Sequence, residues 1–171
     1  MEGKLMPIAD TLIMELEREA KTTRRVLERV PEDKLTWKPH TKSMSLGQLA
    51  QHVATIPGTV SGMARLDSYD VEKSSESAEL ESTAALLAAF EKCLAQAKTN
   101  LGATDDAAMM ANWSFTMGGR PIMTVPRIGV YRSILLNHLY HHRGQLTVYL
   151  RLLNVPVPSI YGPSADENPF A

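Results

Sequence analysis

The sequence predicts an all-α protein, a four-helix bundle with one long crossover connection and a small irregular or hairpin segment before the last helix. Three observations point there. Four stretches place apolar residues three and four positions apart, polar or proline-bearing segments separate them, and only between Asn112 and Arg127 does the pattern change to alternation. At 171 residues, 44% hydrophobic and 22% charged, the chain suits one domain over 1–171 with a sizeable core and an extended tail from about 154.

The first helix is expected from about Met6 to Val30. Leu12, Leu16, Ala20, Thr23 and Leu27 form its apolar stripe, Glu15, Arg18, Glu19 and Arg25 lie between them, and Pro31 ends it. The segment PEDKLTWKPHTKSM carries two prolines and reads as an irregular connection anchored by Trp37. Ser45 is the expected N-cap of the second helix, with Gln48 completing a capping box. Leu46, Leu49, Val53, Ile56 and Val60 give that helix its buried face, while Pro57 and Gly58 are expected to kink it or end it early.

From Asp67 to Glu81 the chain is polar and reads as a long exposed connection. Thr83 is the expected cap of the third helix, whose Leu86, Leu87, Phe90, Leu94, Ala97 and Leu101 face the core, with Gly102 just past its end. Trp113, Phe115 and Met117 then alternate before Gly118-Gly119, the mark of a hairpin or an ordered loop. The fourth helix is expected from near Pro126 to about Leu153, with Ile128, Leu135, Leu139, Leu146, Leu150 and Leu153 as its core stripe. The tail NVPVPSIYGPSADENPFA, with four prolines, cannot be helical.

Composition narrows the partners. With 18 basic and 19 acidic residues the formal charge is −1, and no basic stripe is present to neutralise phosphates, so neither nucleic acid nor an anionic membrane is an expected partner. Asp10, Glu15, Glu17 and Glu19 interrupt any apolar leader. No apolar run approaches the roughly 20 residues that span a bilayer. The single cysteine, Cys93, excludes an intrachain disulfide and a cysteine zinc cluster. A cytoplasmic location is the simplest expectation.

Three of the five histidines fall within NHLYHHRGQ. His138 and His142 stand four residues apart and share a helix face, the spacing that lets two imidazoles bind one metal ion. Leu139 occupies the place where a zinc protease carries its glutamate, so that chemistry is not expected. His142 falls within the core stripe and His138 borders it. His52, beside Leu49 and Ile56, faces inward from the second helix. Inward polar groups need partners, and a shared metal ion is one way to satisfy all three; a hydrogen-bonded core pair is the other. His141 is expected at the helix flank, near the ligands or exposed, and His40 at the surface. Arg143 reads as a solvated helix residue and Gln145 as a hydrogen-bond partner of the histidines. Tyr149 reads as a core tyrosine bonded to backbone, Cys93 as a buried inert thiol, Met109 and Met110 as packing residues. Trp37 and Trp113 are expected to cover the ends of the bundle.

The segments NHLYHHRGQLTVYLRLLNVPVPSIYGPS and VPEDKLTWKPHTKSMSLGQLAQHVA, together with WSFTMGGRPIMTVPR, resemble the DinB/YfiT-like family. The resemblance implies a four-helix bundle, often dimeric, with a metal held by one histidine on the second helix and two on the last. Those positions correspond to His52, His138 and His142. Three neutral nitrogen ligands leave a coordination position open, the pattern of catalytic metal sites. An ion there, zinc or nickel foremost, activates either water or a thiol. Characterised proteins with this resemblance include transferases that use bacterial low-molecular-weight thiols. The expectation is therefore a metal-dependent S-transferase acting on a small thiol and an electrophilic substrate. The alternatives are a metal-dependent hydrolase and a non-catalytic, stress-related metal-binding protein.

Overall fold

Helix α1 (Ile8–Leu27) buries Leu12, Leu16, Ala20, Thr23 and Leu27, the stripe expected from their spacing. The structure is a computed structural model and describes residues 6–73 and 78–170. Glu19 departs from the reading of its sequence position: it lies within the buried face rather than among the solvated residues. A 3-10 turn, Glu32–Lys34, opens the connection to the second helix. Its loop carbonyls meet the free donors of that helix's first turn. Leu46 N–H donates to Trp37 at 2.9 Å and Gly47 N–H to Leu35 at 2.8 Å. A Cβ on Gly47 would sit 3.1 Å from that Leu35 carbonyl, so a small residue permits the approach.

Ser45 caps α2 (Leu46–Ala64) in a full capping box with Gln48, a contribution of about 1 kcal/mol. Of the kink or early end expected at Pro57 and Gly58, the early end does not occur, because the helix continues to Ala64. Burial explains the difference. Val60, Ser61 and Ala64 beyond the proline are all buried, and the gain from seating them outweighs the one backbone hydrogen bond the proline forfeits. Gly58 serves packing instead: an added Cβ would lie 2.8 Å from the Cys93 sulfur on the third helix.

The polar stretch after α2 is not all exposed connection. Ser68–Asp70 forms strand β1, followed by a 3-10 turn at Val71–Lys73; the part at 74–77 lies outside the described residues. Helix α3 (Thr83–Gly102) is capped by Ser82, whose hydroxyl accepts from Ala85 N–H. Thr83, expected as the cap, is the first helical residue and donates its hydroxyl to the Val30 carbonyl. Gly102 ends the helix rather than following it.

A short helix, α4 (Asp106–Met110), leads to the hairpin of β2 (Asn112–Met117) and β3 (Arg120–Pro126). Met109 is buried but Met110 is exposed, so only the first packs. Gly118 and Gly119 turn the hairpin with φ of 55° and 77°, conformations that favour glycine. β1 joins β2 in parallel, completing a three-stranded sheet in the order β1-β2-β3. Trp113 is fully buried and its indole N–H donates to the Met63 carbonyl, so the sheet is tied to the end of α2.

The last helix, α5, consists of three consecutive pieces: α-helical Arg127–Gly129, π-helical Val130–Asn137 and α-helical His138–Leu152. Helix α3 packs against α1 and α2, and α5 against α2 and α1. The ring order is therefore α1–α3–α2–α5, with the consecutive helices α1 and α2 on a diagonal and the 28–45 segment crossing between them. No helix among the described residues is long and apolar enough to cross a membrane.

Candidate metal centre

The structure brings His52, His138 and His142 together, with one ring nitrogen from each lying within 4.8 Å of the others. α2 supplies the first and α5 the other two, one helical turn apart. Nε2 of His138 is 2.7 Å from Nε2 of His142 and 3.3 Å from Nε2 of His52. All three side chains are half-buried. Among the described residues no other histidine, cysteine or carboxylate joins the cluster.

The outward nitrogens decide what the inward ones can do. His142 Nδ1 meets Gln145 Oε1 at 2.7 Å. An amide oxygen only accepts, so the proton of His142 is on Nδ1. The His138 ring bonds to the backbone carbonyl of Ile134. Its Nε2 faces the other histidines, so the bonded nitrogen is Nδ1, and again it carries the proton. Nε2 of both rings is then a bare lone pair. Lone pairs so close repel unless a cation lies among them, and neutral imidazoles oriented by a hydrogen bond on the other nitrogen are the usual state of metal-bound histidine.

A proton is poorly suited to be that cation. Burial, then the neighbouring His142 and His138, push His52 from its ordinary value of 6.5 down to about 4. His138 and His142 are lowered as well, burial again being the largest cause. At neutral pH the three rings are uncharged and ready to coordinate. Three imidazoles in this arrangement could hold a metal ion.

Ile134, whose carbonyl orients His138, belongs to the π-helical turn that ends just before that histidine. Such turns recur at functional sites, but nothing in a single-residue pattern announces one. Arg143 is the larger surprise. Sequence position made it a solvated residue, yet it is 1% exposed. It follows His142 by one residue and so points about a quarter-turn away, toward α1. There its guanidinium donates to the Glu19 carboxylate at 2.8 Å, to Thr23 Oγ1 at 3.1 Å and to the Tyr161 hydroxyl at 2.6 Å. Tyr161 in turn donates to Glu19 at 2.7 Å. The missed signal was a Glu-x-x-x-Thr pair on the apolar stripe of α1, which offers a buried arginine its acceptors. This anchor fixes the rotation of α5, and with it the direction of His138 and His142 toward His52.

The remaining candidates fall around the centre. His141 is exposed, its ring edge-on to His142 with centroids 4.8 Å apart. His40 is exposed. Tyr149 donates to the Met44 carbonyl and packs edge-on against Trp37. Cys93 is half-buried, and burial raises the pKa of its thiol. A cavity of about 280 Å³ opens beside the cluster, with His52 and His138 in its wall.

Comparison with known proteins agrees with this fold. The sequence profile of the DinB family matches residues 1–169. In fold the chain is similar to a DinB-like protein from Bacillus cereus, with a TM-score of 0.70 and 20% identity over 91% of this chain and 98% of that one. It is similar also to the DinB-like protein YjoA from Bacillus subtilis, with a TM-score of 0.68 and 16% identity over 88% and 96%. A curated relative, the uncharacterized protein YrdA of Bacillus subtilis, is 46% identical over 39 residues. That stretch spans 23% of this chain and 23% of the relative.

Proposed function

This chain belongs to the DinB family, and on that footing we propose that His52, His138 and His142 hold a divalent metal ion that serves a thiol S-transferase. The convergence of the Nε2 lone pairs, with the outward nitrogens of His138 and His142 already bonded, carries the metal half of this reading. The transfer half is supported by what surrounds the centre. Three protein ligands leave a position for an exogenous one, and the adjoining cavity gives a second molecule access to it.

A zinc or nickel ion held by His52, His138 and His142 would supply Lewis-acid chemistry that keeps a thiol deprotonated at neutral pH. The sulfur then forms a bond to an electrophilic carbon, the leaving group departs with its bonding pair, and the thiol proton passes to solvent. The protein's own residues orient the ligands: Gln145 and the Ile134 carbonyl fix two rings, and the Arg143–Glu19 pair fixes the helix that bears them. Hydrolysis fits less well. It calls for a general base at the open position, and among the described residues no carboxylate lines the cavity. The buried Glu19 is turned the other way, toward Arg143 and Tyr161.

The test is a panel of small thiols (cysteine, glutathione and bacillithiol) with 1-chloro-2,4-dinitrobenzene as the electrophile, with zinc, with nickel and after chelation. The expected result is a metal-dependent rate with at least one thiol, lost in His52→Ala and His138→Ala. A rate independent of metal with every thiol would contradict the transferase reading.

A further inference from the structure

We infer that the cavity beside the three histidines binds the electrophile rather than the thiol, and that this electrophile is an uncharged, largely apolar molecule of up to about bicyclic size. The inference deepens the transferase reading and rests on it for the word electrophile. The ligand class itself is argued from the cavity.

Position comes first. The cavity lies between α2, the sheet and α5, and His52 and His138 form part of its wall. Anything held there abuts two of the three histidines. A second groove, bordered by Met44, Gln145 and Tyr149, does not share this property. None of the three histidines is among its described lining residues.

The chemistry of the wall sets the ligand class. Ile56, Val60 and Met63 line it from α2, Ile134 from α5 and Phe115 from β2, and no aspartate, glutamate, lysine or arginine is among the described lining residues. A charged ligand entering would lose part of its hydration and meet no counter-charge from the described lining residues. Small thiols carry charged amino or carboxyl groups, which excludes them from this chamber and leaves it to their reaction partner. Polar contacts are few. Thr55 donates its hydroxyl proton to the Gln51 carbonyl at 2.9 Å, so toward the cavity it can only accept. Thr59 and Tyr69 add two more hydroxyls to the wall.

Size and shape follow. A cavity of about 150 Å³ lined by aliphatic and aromatic groups holds benzene. The 280 Å³ here therefore suits roughly a fused pair of rings. Phe115 is braced edge-on by the buried Trp113, with centroids 4.6 Å apart, and by Tyr69 at 6.3 Å. It presents a fixed aromatic wall against which a flat ligand can pack.

The experiment titrates the metal-free full chain with 2-naphthol and, separately, with 2-naphthoate, following the Met63 methyl signal by NMR. The expected result is saturable displacement of that signal by 2-naphthol, with naphthoate binding at least tenfold more weakly. Thr59→Trp, which fills the cavity from α2 and keeps the Met63 reporter, should weaken naphthol binding at least tenfold; Phe115→Trp is the second filling variant should the first not fold. Naphthol leaving the Met63 methyl unmoved up to its solubility limit, or naphthoate binding equally well, would overturn the inference. Because no metal is used, a failure of metal binding is a separate result: naphthol binding without metal affinity would retire the metal reading and keep the ligand class.

Discussion

Three imidazoles that share one small space have to stay uncharged to do so. Because burial and mutual repulsion lower the folded-state pKa of His52 from 6.5 to about 4, the unfolded chain takes up this proton at higher pH than the folded one. The sign follows. The contribution of His52 to the stability of metal-free protein is full above pH 6.5, declines as the pH falls from there toward 4, and changes no further below. His138 and His142, lowered in the same direction, add to the slope. Thermal unfolding of chelator-treated protein across that interval should show Tm falling with acidification, and His52→Gln should flatten part of the fall. A Tm that rises on acidification through the same window would contradict the assignment of neutral rings.

Elements place these residues, and here sequence and structure part company in instructive ways. His52, His138 and His142 were legible because helical spacing is local: four residues make one turn, and an inward phase can be counted from neighbouring leucines. Arg143 was not legible, because what makes a buried arginine tolerable is a carboxylate on another helix, and Glu19 lies 124 residues away. The same limit hid β1, a three-residue strand that exists only through its pairing with β2. It also made Pro57 look like a terminus, when the packing of α2 on α3 carries the helix past it. The Arg143–Glu19 pair should behave as a buried ion pair does. Arg143→Met strands the Glu19 carboxylate and should cost about 3–5 kcal/mol in chemical denaturation. The double variant with Glu19→Leu, which removes both charges, should recover most of that loss. Equal losses in the single and double variants would show that the anchor is packing rather than charge.

At the scale of the molecule, the hydrophobic core is built from all four main helices without the histidines, which sit half-buried at its border. Folding should therefore not depend on metal, in contrast to small zinc modules that unfold when stripped. Chelation is expected to leave the helical circular dichroism unchanged and to lower Tm. Zinc at about a thousand times its Kd should restore roughly 4 kcal/mol of stability by mass action. Collapse of the helical signal on chelation would mean that the centre is structural. The tail completes this design. Glu167 pairs with Arg25 of α1 and with Arg29 just beyond its end, and Tyr161 closes over Arg143, so the segment after α5 secures the pair of helices opposite the metal side.

The central claim is that Nε2 of three rings converges on one cation while Nδ1 of His138 and His142 faces outward as a donor. Long-range nitrogen–proton spectra of protein carrying ¹⁵N-labelled histidine read this directly, before and after one equivalent of zinc. The expected result is the Nδ1–H tautomer for His138 and His142 in both states, with the Nε2 signals of His52, His138 and His142 moving together on addition of the metal. Nε2–H tautomers at His138 and His142, or zinc leaving the three Nε2 signals in place, would contradict it.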